Sequence, residues 1–221
     1  GLVHCAKRGT DIQSEVDAVF PRLPLPMPGE VHVVAIAGDV LSVMKPQHTA
    51  LIPYTLWGEL ALQVGGEELY EQVEAEATSI ASPGERFFDE VLGERKVLIL
   101  IDELAQYVAR FEAAHPGQGA TQVAAFLMAL STFARARSGI AVVVSLASAS
   151  DAFARQSNDL ADQLSKVMGR EVTADEAVQA ASGAVGQTAS VVARDAVQIR
   201  PVEQHELSRV LSRRLFTEID P

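Results

Sequence analysis

The sequence predicts an α/β fold built on a mostly parallel sheet, and three observations carry that reading. Three β-branched apolar runs, "VHVVAIAG", "KVLILI" and "GIAVVVSLAS", are strand-sized and have little polar interruption, as suits strands covered on both faces. Helical patterns separate each run from the next, which implies crossover connections rather than hairpins. The second run ends on two adjacent carboxylates, Asp102 and Glu103. In open sheets of this kind ligands sit beyond the carboxyl ends of the strands.

The elements follow in order. "LVHCAKRG" reads as a helix ending at a glycine cap. "PRLPLPMPGE" has four prolines in eight residues, which forces an extended connector into the first strand. Within residues 54–76, Leu56, Trp57, Leu60, Ala61 and Val64 share one face at helical spacing, and a Gly-Gly pair interrupts the stripe. Trp57 belongs to the core on that face. "SPGERFFDEVL" predicts a capping box with Ser82 as N-cap, Pro83 at the first helical position and Glu85 facing back.

Beyond the acid pair a helix runs to about Glu112, followed by the turn "HPGQGATQ" and the helix "VAAFLMALSTFARA". The third strand follows, then a helix over 151–168. Thr173 and Glu176 form a second capping box ahead of a long alanine-rich helix. "AVQIRP" predicts a short fourth strand, and a last helix carries Leu207, Val210, Leu211 and Leu215 on its apolar face.

Composition narrows the function. A net charge of −11 argues against a broad electrostatic footprint for nucleic acid. The single cysteine, Cys5, excludes an intrachain disulfide, and His32, His48, His115 and His205 share no metal-ligand spacing. No apolar run approaches the ~20 residues of a membrane helix, and the first residues lack a secretory signal, so a cytoplasmic location is expected. The chain opens on Gly1 inside a helical pattern and stops at Pro221; it reads as part of a longer protein.

Two acids directly after an apolar strand have a specific use. Asp102 is placed to hold Mg²⁺, largely through its water shell, and Glu103 to orient the water attacking a γ-phosphate. This is the Walker B pattern of P-loop ATPases. Ser145 or Ser148, after the third strand, suits a polar group sensing that phosphate, though a serine that caps the following helix, at Ser148 or Ser150, accounts for the pattern equally well. "GQGATQ" lacks the lysine and preceding strand of a phosphate loop and is read as a turn. GxxxxGK followed by Ser or Thr does not occur in the chain.

Taken together, "TLWGELALQVGG", "VLILIDELAQYVARFE", "TQVAAFLMALSTFARA", "AVVVSLASAS" and "IRPVEQHELSRVLSRRLF" resemble large prokaryotic AAA+-like ATPases long labelled a domain of unknown function. Some are encoded beside DNA methylases in phage-defence islands, including the phage growth limitation system. The resemblance covers most of the chain. It implies a P-loop NTPase three-layer sandwich, with residues 1–221 as a partial ATPase core whose first strand and phosphate loop lie upstream. It further implies ATP and Mg²⁺ as cofactors, Asp102 as the metal-coordinating acid, Glu103 as the catalytic one, and the sensor at Ser145 or Ser148. Arg155, Arg170 and Arg194 are all open as arginine fingers. The partners it implies are the rest of the parent chain, further copies of it, and DNA or a methylase. A nucleotide-free scaffold of the same fold is the competing reading. A metal-dependent nuclease is weaker, for want of a third acid.

Overall fold

A computed structural model describes residues 2–47, 51–145 and 152–195. Among these, three strands form a parallel sheet in the order β1 (Val31–Ala37), β2 (Lys96–Asp102), β3 (Ile140–Val144). Val34 pairs with Ile99 and Ile99 with Val142; Ile36 pairs with Ile101 and Ile101 with Val144. Residues in register share a face, so these six line one side of the sheet, over the main core.

Helices supply the rest of that core. Before β1 come α1 (Leu2–Arg8), a 3₁₀ turn over Gly9–Ile12 and α2 (Gln13–Asp17). Between β1 and β2 lie α3 (Leu56–Gln72), α4 (Glu74–Ala77) and α5 (Glu85–Val91); between β2 and β3 lie α6 (Leu104–Ala114) and α7 (Gly119–Ala136). Leu56, Trp57, Leu60, Ala61 and Val64 are all buried, as the stripe predicts. Trp57 packs edge-on against Phe111 of α6 at 6.2 Å and at a tilt of 49° against Phe126 of α7 at 5.4 Å. Its indole N–H donates to the carbonyls of Glu76 and Ser79 at 2.9 and 3.1 Å. The Gly-Gly pair does break the helix: Gly66 sits at φ 68°, outside helical geometry.

Two expectations need correction. The first capping box does not form. The helix begins at Glu85 with Gly84 as N-cap, and the backbone N–H of Ser82 donates instead to Gln122 Oε1 at 2.8 Å. The second box does form: Glu176 N–H donates to Thr173 Oγ1 at 3.3 Å, and Thr173 N–H to Glu176 Oε2 at 2.9 Å.

Nor are the outer strands covered on both sides. Ala35, Ala141 and Val143 share the second face of the sheet and are exposed. The reason lies in α8 (Ala152–Met168) and α9 (Ala174–Asp195), which pack on α6 and α7 rather than on that face. There Leu160, Ala161, Leu164, Val172 and Ala177 bury Ala105 and Ala109 of α6 in a second small core. The expected fourth strand and last helix, 197–216, lie outside the described residues.

Candidate functional site

The carboxyl ends of all three strands meet at the acid pair. Gly38, the first residue after β1, donates its N–H to the Asp102 carbonyl at 2.8 Å. Ser145, the first after β3, donates its N–H to the Ile101 carbonyl at 2.9 Å. At the junction Glu103 adopts left-handed backbone, φ 50° and ψ 35°, before α6 begins. A non-glycine residue there carries a conformational cost of about 1 kcal/mol or more, of the kind that collects at functional sites.

Hydrogen bonds hold this turn. The Glu103 N–H is shared between Asp102 Oδ1 at 3.0 Å and Ser145 Oγ at 3.2 Å, and the Ser145 hydroxyl donates to Asp102 Oδ1. Gln106 Nε2 donates to Glu103 Oε2 at 3.1 Å. Asp102 and Ser145 are exposed and Glu103 is half-buried. Three of the four residues singled out in the sequence therefore lie in one hydrogen-bonded cluster. The fourth, Ser148, lies outside the described residues.

Two further residues belong here that sequence reasoning passed over. Gln106 and Arg110 stand three and seven residues after Glu103, so helical spacing puts them on its side of α6. Both are buried, at 9% and 8% exposure. The Arg110 guanidinium donates through Nη2 to the Gly38 carbonyl. Burial pulls its pKa below the ordinary arginine value, opposed by Tyr107 and by Asp39. Polar residues recurring at positions 103, 106 and 110 of an otherwise apolar helix were the available signal.

The other sequence candidates sit elsewhere. The side chains of Arg155 and Arg194 lie outside the described residues; Arg170 is exposed and pairs with Glu176 at 3.7 Å. The "GQGATQ" turn is filled from within, since the Glu112 carboxylate accepts from the N–H groups of Gly117 and Ala120 at 2.6 and 2.8 Å. His115 donates from Nε2 to the Val43 carbonyl at 3.1 Å. A groove of about 730 Å³ at the other end of the strands is lined by Phe88, Phe133 and Arg137, where Arg137 is engaged by Asp89 at 2.5 Å and Glu94 at 3.5 Å.

Metal chemistry at the acid pair is restricted. Among the described residues no group of three or more His, Cys, Asp or Glu converges to hold an ion. A dedicated protein cage is therefore not present among them. An exposed carboxylate beside a hydroxyl does fit Mg²⁺, which keeps most of its waters and takes one or two protein oxygens together with phosphate.

Residues 17–174 match the family model described as the DUF499 N-terminal domain. The chain belongs to that family. The match runs from the end of α2 to the start of α9, so the DUF499 N-terminal domain takes in all three strands, the acid pair and Ser145. No curated protein and no solved structure matches the chain. Among the described residues of this DUF499 N-terminal domain, no helix is long and apolar enough to cross a membrane.

Proposed function

We propose that this domain is the Walker B half of an AAA+-type P-loop ATPase core. The phosphate loop and its strand would be contributed by sequence upstream, and hydrolysis would serve defence- or DNA-related remodelling in an assembly of several copies. One observation supports the reading above the rest: the Ser145 hydroxyl and the Asp102 carboxylate, 43 residues apart in sequence, are hydrogen-bonded where β2 and β3 end together. A Walker B acid and a sensor residue require that juxtaposition, and the chance neighbours of a solvated loop do not.

The roles follow from position. Asp102 would supply an anionic oxygen to Mg²⁺ bound to the nucleotide, the ion serving to draw charge from the β- and γ-phosphates. Glu103, turned away from the strand by its left-handed backbone, would accept the proton of the attacking water and orient it. Gln106 holds one oxygen of that carboxylate and leaves Oε1 for the water. Ser145 would pass its hydroxyl hydrogen bond from Asp102 to a phosphate oxygen when nucleotide is present.

The test is Glu103→Gln in the full-length protein. ATP binding should persist while turnover falls about 10²-fold or more, the usual contribution of a general base. Unchanged hydrolysis would remove Glu103 from that role. A wild-type protein with no Mg²⁺-dependent affinity for ATP would favour the scaffold reading.

A further inference from the structure

We infer that Arg110 is a positioning residue for the acid pair and acts through the backbone of Gly38; the inference rests on Asp102 and Glu103 forming the site. Gly38 is buried where β1 ends, and its N–H holds the Asp102 carbonyl at 2.8 Å. A Cβ on Gly38 would lie 2.5 Å from the Glu103 carbonyl oxygen and 2.9 Å from that of Asp102. Only glycine lets the strand end lie this close to the peptide joining the two acids. The orientation of that peptide, and with it the left-handed turn at Glu103, is set by where Gly38 sits.

Arg110 fixes where Gly38 sits. Its Nη2 donates to the Gly38 carbonyl, so Gly38 is held on one side by Asp102 and on the other by α6. The seven residues from Glu103 to Arg110 make two helical turns. The helix thus acts as a rigid spacer between the turn at Glu103 and the donor that anchors Gly38.

Stability alone does not account for an arginine here. Its neighbours on α6, Tyr107, Val108 and Phe111, are fully buried, and an apolar side chain would fill the space without burying a charge. Arg110 Nε is buried with no hydrogen-bond partner. The carboxylate that favours its charged form is Asp39, the residue directly after Gly38. A cation that uses one N–H at the end of β1 and leaves another unmet is retained for the geometry it imposes.

The experiment compares wild type, Arg110→Met and Arg110→Lys in the full-length protein, by backbone hydrogen exchange without nucleotide and by MgATP turnover. The Met variant should exchange about tenfold faster at residues 36–40 and 101–106, while α3 and α7 keep wild-type protection, as local opening requires. Its kcat should fall about tenfold, since the acid pair that holds the ion and orients the water is misplaced. The Lys variant, which keeps one donor, should recover both. Unchanged exchange at 101–106 in the Met variant overturns the inference, and so does faster exchange spread evenly over the chain. Wild-type protein inert toward MgATP overturns the ATPase reading instead, and the exchange comparison still decides the role of Arg110.

Discussion

β1 and β3 flank β2 from opposite sides, both parallel to it, yet among the described residues only β1 is finished as an edge. Ala35 turns its backbone away from β2, and Gln63 of α3 takes both of its groups: the N–H donates to Oε1 at 2.8 Å, and Nε2 donates to the carbonyl at 2.9 Å. The side-chain amide stands in for a neighbouring strand, which closes the edge to pairing. On β3, Gly139 and Ser145 both bond β2, so the two-residue alternation turns the backbone of Ile140, Val142 and Val144 outward. Among the described residues no strand lies there, and no residue of β3 is fully buried. A run of valines left half-covered, at an edge that no described residue blocks, suits a sheet that continues on that side. This favours the proposed ATPase core, in which the strand bearing the phosphate loop lies next to the sensor strand.

The largest expected effect sets the packed region against the open one. Trp57→Ala removes a fully buried ring from between Phe111 and Phe126 and orphans two carbonyls; it should cost about 3–5 kcal/mol in urea unfolding. Val143→Ala, at a residue 41% exposed, should cost under about 0.5 kcal/mol in the 221-residue chain. In a longer protein whose added strand and helices cover β3, the Val143 figure should rise to about 1–2 kcal/mol. Equal Val143 costs in the two proteins would break the comparison.

What the sequence disclosed divides along the same line. Apolar β-branched runs located the strands, and the acids after the second located the cluster, because both are local properties of the chain. The runs did not reveal coverage: "VHVVAIAG" and "IAVVV" are as apolar as "VLILI", yet on the second face of the sheet Ala35, Ala141 and Val143 are exposed while Leu98 of β2 is buried and Leu100 half-buried. Coverage depends on where α8 and α9 pack, and that is set by Ala105 and Ala109 on a helix some fifty residues earlier. The failed capping box has the same origin. Ser82 carries a sound local signal, but Gln122, 40 residues on, captures its N–H. The Arg110–Gly38 contact spans 72 residues and has no local signature beyond a polar residue on an apolar helix.

Gln63→Ala sharpens the comparison by opening the closed edge. The loss of two hydrogen bonds at an exposed position should cost about 1 kcal/mol. The more telling result is association, since Ala35 would present an unpaired N–H and carbonyl at a parallel edge. Sedimentation should show concentration-dependent self-association in the variant beyond that of wild type. If both proteins associate equally, β3 is the edge through which copies meet and the amide of Gln63 is not what keeps β1 apart.

The smallest effect lies at the opposite end of the same strand. Glu30, just before β1, pairs with Lys96 at the start of β2 and also accepts the Met27 N–H at 2.8 Å. The hydrogen bond from Lys96 is the main reason that its carboxyl titrates below the ordinary glutamate range, with the Met27 N–H next. A carboxyl with a lowered folded pKa adds stability that is present above its unfolded pKa and is lost as pH falls through the folded value. Glu30→Gln should therefore lower the urea midpoint slightly near pH 7, and the difference from wild type should vanish as pH falls below the range in which the folded carboxyl takes up its proton. Because both partners are solvent-exposed, ~1 M salt should also erase most of it at neutral pH. A difference that survives both acid and salt would mean that the Met27 turn, rather than the pair with Lys96, fixes where β1 begins. The register of the closed edge would then be set from the connector upward, and not from the bridge to β2.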